Sequence, residues 1–66
     1  MKFLMVYKGG KVVVAYNASL IKLVENGTRD GLKCTFIELQ DGYKSWVSGV
    51  DDADQKKTFA SLTGST

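Results

Sequence analysis

The chain has no histidine, no proline and a single cysteine, Cys34. Each absence excludes something. One cysteine forms no intramolecular disulfide, and one thiolate without histidine cannot close a tetrahedral zinc site. Catalysis needs a positioned acid, base, nucleophile or metal. The commonest acid–base side chain is missing, and Cys34 lies mid-run among apolar neighbours with no base in its sequence vicinity. No catalytic residue, metal site or cofactor is expected. The lack of proline leaves every strand interior open. Long apolar runs are also missing. Phe3 to Tyr7 is bounded by Lys2 and Lys8, too short for a secretory segment or a membrane span. A chain without an export signal and with a lone thiol is expected in the cytoplasm.

Sixty-six residues make one domain, expected over 1–62 with a frayed tail at 63–66. Such a chain buries only about 60% of its unfolded surface. Its core supplies rarely more than ~3–5 kcal/mol without a disulfide, a metal or oligomerisation. With the first two struck off, self-association is the remaining candidate staple, although some domains of this size fold alone. The composition, 44% hydrophobic and 24% charged, is globular rather than disordered. Net charge is +2 but uneven: residues 1–24 carry Lys2, Lys8, Lys11 and Lys22 and no acid. Lysines of this kind keep strand edges soluble.

Glycine supplies the punctuation. Phe3–Tyr7 and Val12–Tyr16 flank Lys8-Gly9-Gly10-Lys11, a tight hairpin. Leu32–Leu39 and Tyr43–Ser48 flank Asp41-Gly42, a second hairpin signal. Thr28–Gly31 reads as a polar turn. Residues 18–26 fit two patterns. Asn17 or Ser19 caps a helix with Gly27 past its end, or Leu20–Glu25 is a strand. The favoured reading is a short helical turn at 17–20 running into a strand. Asp51, Asp52 and Asp54 followed by Lys56 and Lys57 suit a helix macrodipole. They predict a short helix over 52–61, anchored by Phe59 and Leu62. The Asp run lacks the spacing of a calcium loop. Gly9-Gly10 lacks the lysine-serine sequel of a phosphate loop. The expected fold is mostly β: a small five-stranded antiparallel sheet or SH3-like barrel with a short C-terminal helix.

Alternation splits 32–39 into Thr35, Ile37 and Leu39 on one face and Cys34, Phe36 and Glu38 on the other. With Val47, the first set is the expected core. Phe36 and Trp46 are left on opposite faces from that core. Either the tail helix or barrel closure covers them, or another subunit does, or they stay open as a binding surface. Phe36, Trp46, Cys34 and Lys44 are therefore the candidate contact surface. The alternative is a nucleic-acid patch of Lys8, Lys11, Lys33 and Tyr43, in which bases stack on aromatics beside cations.

Gly10-Lys11, Asn17, Leu20-Ile21, Val24-Glu25, the run Thr35-x-Ile37-x-Leu39-x-Asp41-Gly42, and Val47 together resemble the FlbD-like small flagellar proteins. The resemblance covers about residues 8–54. Gly9-Gly10 stands where that family has Asn-Gly, Trp46 is unusual for it, and the loop at 26–31 is enlarged. It implies a small accessory protein acting by protein contact, with no catalytic residues. A phage-encoded modulator of a host protein has the same size and character.

Overall fold

In the computed structural model, residues 2–63 are described. Strand β1 (Phe3–Lys8) turns into β2 (Lys11–Asn17) through Gly9 and Gly10, with φ of 63° and 79°. Positive φ at both central residues suits the right-handed twist of the flanking strands. A single 3-10 turn, Ala18–Leu20, follows, capped by the Asn17 carboxamide oxygen accepting from the Ser19 amide at 3.0 Å. It leads into β3 (Ile21–Arg29), β4 (Leu32–Leu39), β5 (Lys44–Ser48) and helix α1 (Asp52–Thr63). The favoured reading of residues 17–25, a helical turn running into a strand, holds. The polar turn expected over 28–31 shrinks to Asp30-Gly31, because Thr28 and Arg29 pair with Lys33 and Leu32.

The class is mostly β, as expected, but the strands form no closed barrel. They divide into two antiparallel sheets, β1-β2 and β3-β4-β5. The reason lies at the outer edge of β1. Closure would need a strand there to take its free amides. Helix α1 takes them instead. Ser61 Oγ accepts from the Met5 amide, Thr58 Oγ1 from Tyr7, and the Asp54 carboxylate from Gly9 and Gly10, all at 2.9 Å. Residues 54, 58 and 61 share one helix face, while alternate strand amides point sideways. Two strand residues advance about 6.6–6.8 Å and three to four helical ones about 4.5–6 Å, close enough to keep step for three contacts. At the other side, β2 is blunted by a bulge, with Val6 opposite Val14 and Tyr7 opposite Val12.

One layer is thus β2, β1 and α1; the other is β3, β4 and β5. Their inner faces meet in one core. Leu4, Val6 and Ile37 are fully buried, with Val14, Tyr16, Ile21, Val24, Leu39, Val47 and Leu62 packed around them. Each fully buried aliphatic contributes about 1.5–3 kcal/mol. The expected core set Ile37, Leu39 and Val47 lies here. The helix expected over 52–61 runs two residues further. Ser61 bonds β1 and Leu62 packs on the core, and the helix runs through Thr63. Of the tail expected at 63–66, residues 64–66 lie outside the described residues.

Candidate interaction face

The outer face of the three-stranded sheet carries the side chains that the core does not use. In β4 these are Leu32, Cys34, Phe36 and Glu38. Across the ladder, Phe36 stands opposite Glu25 on one side and Trp46 on the other. The Phe36 and Trp46 rings are tilted against each other with centroids 5.0 Å apart, a geometry aromatic pairs favour. Arg29 reaches over β4 and sets its guanidinium carbon 4.3 Å from the Trp46 ring centroid. Such a cation–π contact stabilises an exposed ring by about 0.5–1 kcal/mol. The three side chains form a stack that leaves Trp46 43% exposed. Leu23 and Leu32 flank it on the same face, also open to solvent.

Beside the stack is a hollow of about 280 Å³ lined by Glu25, Asn26, Gly27, Thr28, Cys34, Phe36 and Trp46. Gly27 lines this hollow with bare backbone. Its backbone φ is ordinary, and a Cβ there would sit 3.9 Å from the Cys34 sulfur, in plain van der Waals contact. Cys34 forms the floor and is buried at 2% exposure, the usual state of a small strand thiol.

Of the four residues expected on a contact surface, Phe36 and Trp46 are stacked together. Cys34 lies beneath them, and Lys44 sits at the rim opposite Glu38. Helix α1 does not cover this face: Leu62 packs into the core on the other side of the sheet, and Phe59 lines a separate hollow with Asn26 and Gln55. The alternative set is dispersed. Lys8 and Lys11 pair at the tip of the first hairpin. Lys33 is at the start of β4 and its ammonium is held by Asp52. Tyr43 lies beyond the far end of β4, in the turn to β5, where its amide donates to Asp41. Four charges edge the aromatic face, Glu25 and Glu38 against Arg29 and Lys44, and Glu38 also meets Lys22 at 3.8 Å.

Arg29 is the member that sequence reading missed. It looked like part of a polar turn; the extension of β3 to residue 29 is what aims it at Trp46. Asp54 is a second omission, though a structural one. Its carboxylate accepts from Gly9, Gly10 and Asp51, while Asp51 Oδ1 accepts from the Asp54 amide at 2.8 Å. The reciprocal Asp51–Asp54 pair is a capping box, and the acid-first pattern of the tail was its visible sign. The Gly10 amide foremost, then those of Asp51 and Gly9, hold the Asp54 carboxyl below the usual carboxylate range, against the opposing effect of burial. Lys33 likewise lowers Asp52.

Among the described residues no helix is long and apolar enough to cross a membrane, and no cluster of three metal-ligating side chains forms. Comparison with known protein families, with characterised proteins and with solved structures finds nothing that matches the chain.

Proposed function

We propose that this chain is a non-enzymatic binding protein that self-associates through the outer face of β3-β4-β5. The observation that carries the reading is the exposed Arg29–Trp46–Phe36 stack with Leu23 and Leu32 beside it. Tryptophan and arginine are enriched where interfaces carry their energy. The charges around the stack favour a second copy. Both signs are interleaved, so a twofold contact sets Glu25 and Glu38 of one copy near Arg29 and Lys44 of the other. Isologous interfaces require this kind of self-complementarity. An accessory role by protein contact agrees with the resemblance to the FlbD-like family, and a phage-borne modulator of a host protein would use the same face.

Light scattering across a concentration series tests the reading. The expected result is a dimer mass for the parent chain and a monomer for Trp46→Ala. A parent that stays monomeric at high concentration overturns self-association. A nucleic-acid reading has one observation in its favour, a cation stacked on an open aromatic. It predicts salt-sensitive quenching of Trp46 by single-stranded oligonucleotides, and no quenching at low salt removes it.

A further inference from the structure

The first hairpin has an outer face of its own, which the core leaves uncovered. Leu4 and Val6 point inward and are fully buried, so alternation sends Phe3, Met5 and Tyr7 outward. Opposite them lie Asn17, Ala15 and Val12, with Val13 the extra residue of the bulge. Phe3 is 41% exposed, Met5 40%, Val12 46% and Val13 51%. This is a largely apolar face whose polar side-chain groups are the Tyr7 hydroxyl and, opposite Phe3, the Asn17 carboxamide.

Its charges are of one sign. Residues 2–17 carry Lys2, Lys8 and Lys11 and no acid. From the helix, Lys57 places its ammonium 5.7 Å from the Tyr7 ring centroid, at the rim of the same face. The acid bonded to this hairpin, Asp54, is buried, with its oxygens taken by the hairpin-tip and Asp51 amides. Lys8 lies along Gly49 toward the other layer and Lys11 stands opposite it on the same side of the ladder, so both act through their field and not by contact.

We infer that this face docks the protein peripherally on an anionic lipid surface. An apolar patch edged by Lys57 on a hairpin whose charges are all positive is the pattern of interfacial binding: side chains enter the headgroup boundary while the lysines' field attracts anionic lipid. A second copy is a poor occupant, since a twofold contact would bring lysines against lysines, and the bulge blunts pairing along β2. A folded acidic protein is also a poorer fit. Specific interfaces carry about one hydrogen bond per 100–200 Å² to fix register, and this face offers the Tyr7 hydroxyl and the Asn17 carboxamide, whose oxygen already accepts from Ser19.

Co-sedimentation of the full chain with vesicles tests the assignment. Binding is expected to phosphatidylcholine vesicles containing phosphatidylglycerol, weakened by salt, and not to phosphatidylcholine alone. Met5→Glu and Val13→Glu, at exposed positions, are expected to lower partitioning at least tenfold with an unchanged circular dichroism spectrum. Should Met5→Glu unfold, Val13→Glu decides alone. The double reversal Lys11→Glu with Lys57→Glu is expected to lower it by at least fivefold per lysine. Trp46→Ala is expected to bind vesicles like the parent, which separates this face from the self-association face. Failure to pellet with phosphatidylglycerol vesicles at low salt overturns the inference. So does a blue shift of Trp46 emission on vesicle addition, which would put the opposite face in the lipid. Retention on poly-glutamate without vesicle binding would assign the face to an acidic protein and overturn it as well.

Discussion

Asp54 gathers three backbone amides on two oxygens and so ties a hairpin tip to a helix start. Its lowered pKa makes that tie pH-dependent. A carboxyl with a depressed folded pKa binds fewer protons in the native state than in the unfolded one. Its contribution is complete above the unfolded value, about 3.9, and is lost as pH falls through the folded value. The melting temperature is therefore expected to hold between neutral pH and about 5 and to drop below about 4. Asp54→Asn is expected to melt lower than the parent at neutral pH, with the difference narrowing in acid. Asp52, lowered by Lys33 in the same window, is fully at the surface, so Asp52→Asn is the control. Two buried threonines give the opposite signs of one rule. Thr58 Oγ1 accepts from Tyr7 and donates to the Asp54 carbonyl, so Thr58→Val leaves the part-buried Tyr7 amide without its acceptor, at a cost of about 1 kcal/mol. Thr35 Oγ1 is buried with no partner among the described residues, so Thr35→Val is expected to be neutral or stabilising. Urea midpoints of the two variants measure both.

At the scale of elements, the hairpins were legible because glycine marks them and alternation separates their faces. Gly9 and Gly10 show how local that signal is. A Cβ at either meets nothing within 4 Å, so the cost of a side chain there is backbone strain alone. Gly9→Ala is expected to lose about 1–2 kcal/mol, and Gly9→Asn less, because asparagine tolerates the left-handed region. Chemical denaturation of the pair would show the ordering, and equal losses would mean the turn is held by Asp54 regardless of its residues. The split into two sheets was not legible. Sequence period says which residues point inward, but not which strand lies beside which. The helix was found for its charges, yet its role was hidden. It is only weakly amphipathic, because it joins β1 through Asp54, Thr58 and Ser61 rather than through an apolar stripe. Polar residues that bond a strand edge look the same in a sequence as residues that face water. The extension of β3 over Thr28 and Arg29 was hidden likewise, since polar β positions read as turn. With it went the cation on Trp46, while Phe36 and Trp46 themselves followed from alternation alone.

For the whole molecule, the question is how so small a core suffices. Among the described residues, Leu4, Val6 and Ile37 are the fully buried apolar anchors, and Trp46, Leu23 and Leu32 remain outside. If a second copy covers that outer face, part of the stability belongs to the dimer and follows mass action. The melting temperature of the parent is then expected to rise with protein concentration, since unfolding to monomers is opposed by association. Trp46→Ala removes the centre of the contact without touching the core, so its melting temperature is expected to be lower and independent of concentration. Arg29→Ala should fall between, since it strips one face of the ring but leaves the ring in place. Differential scanning calorimetry over a hundredfold range of concentration reads all three. A parent whose melting temperature is flat over that range would mean that the two layers are stable by themselves, and that the aromatic stack is held open for a partner other than a second copy of this chain.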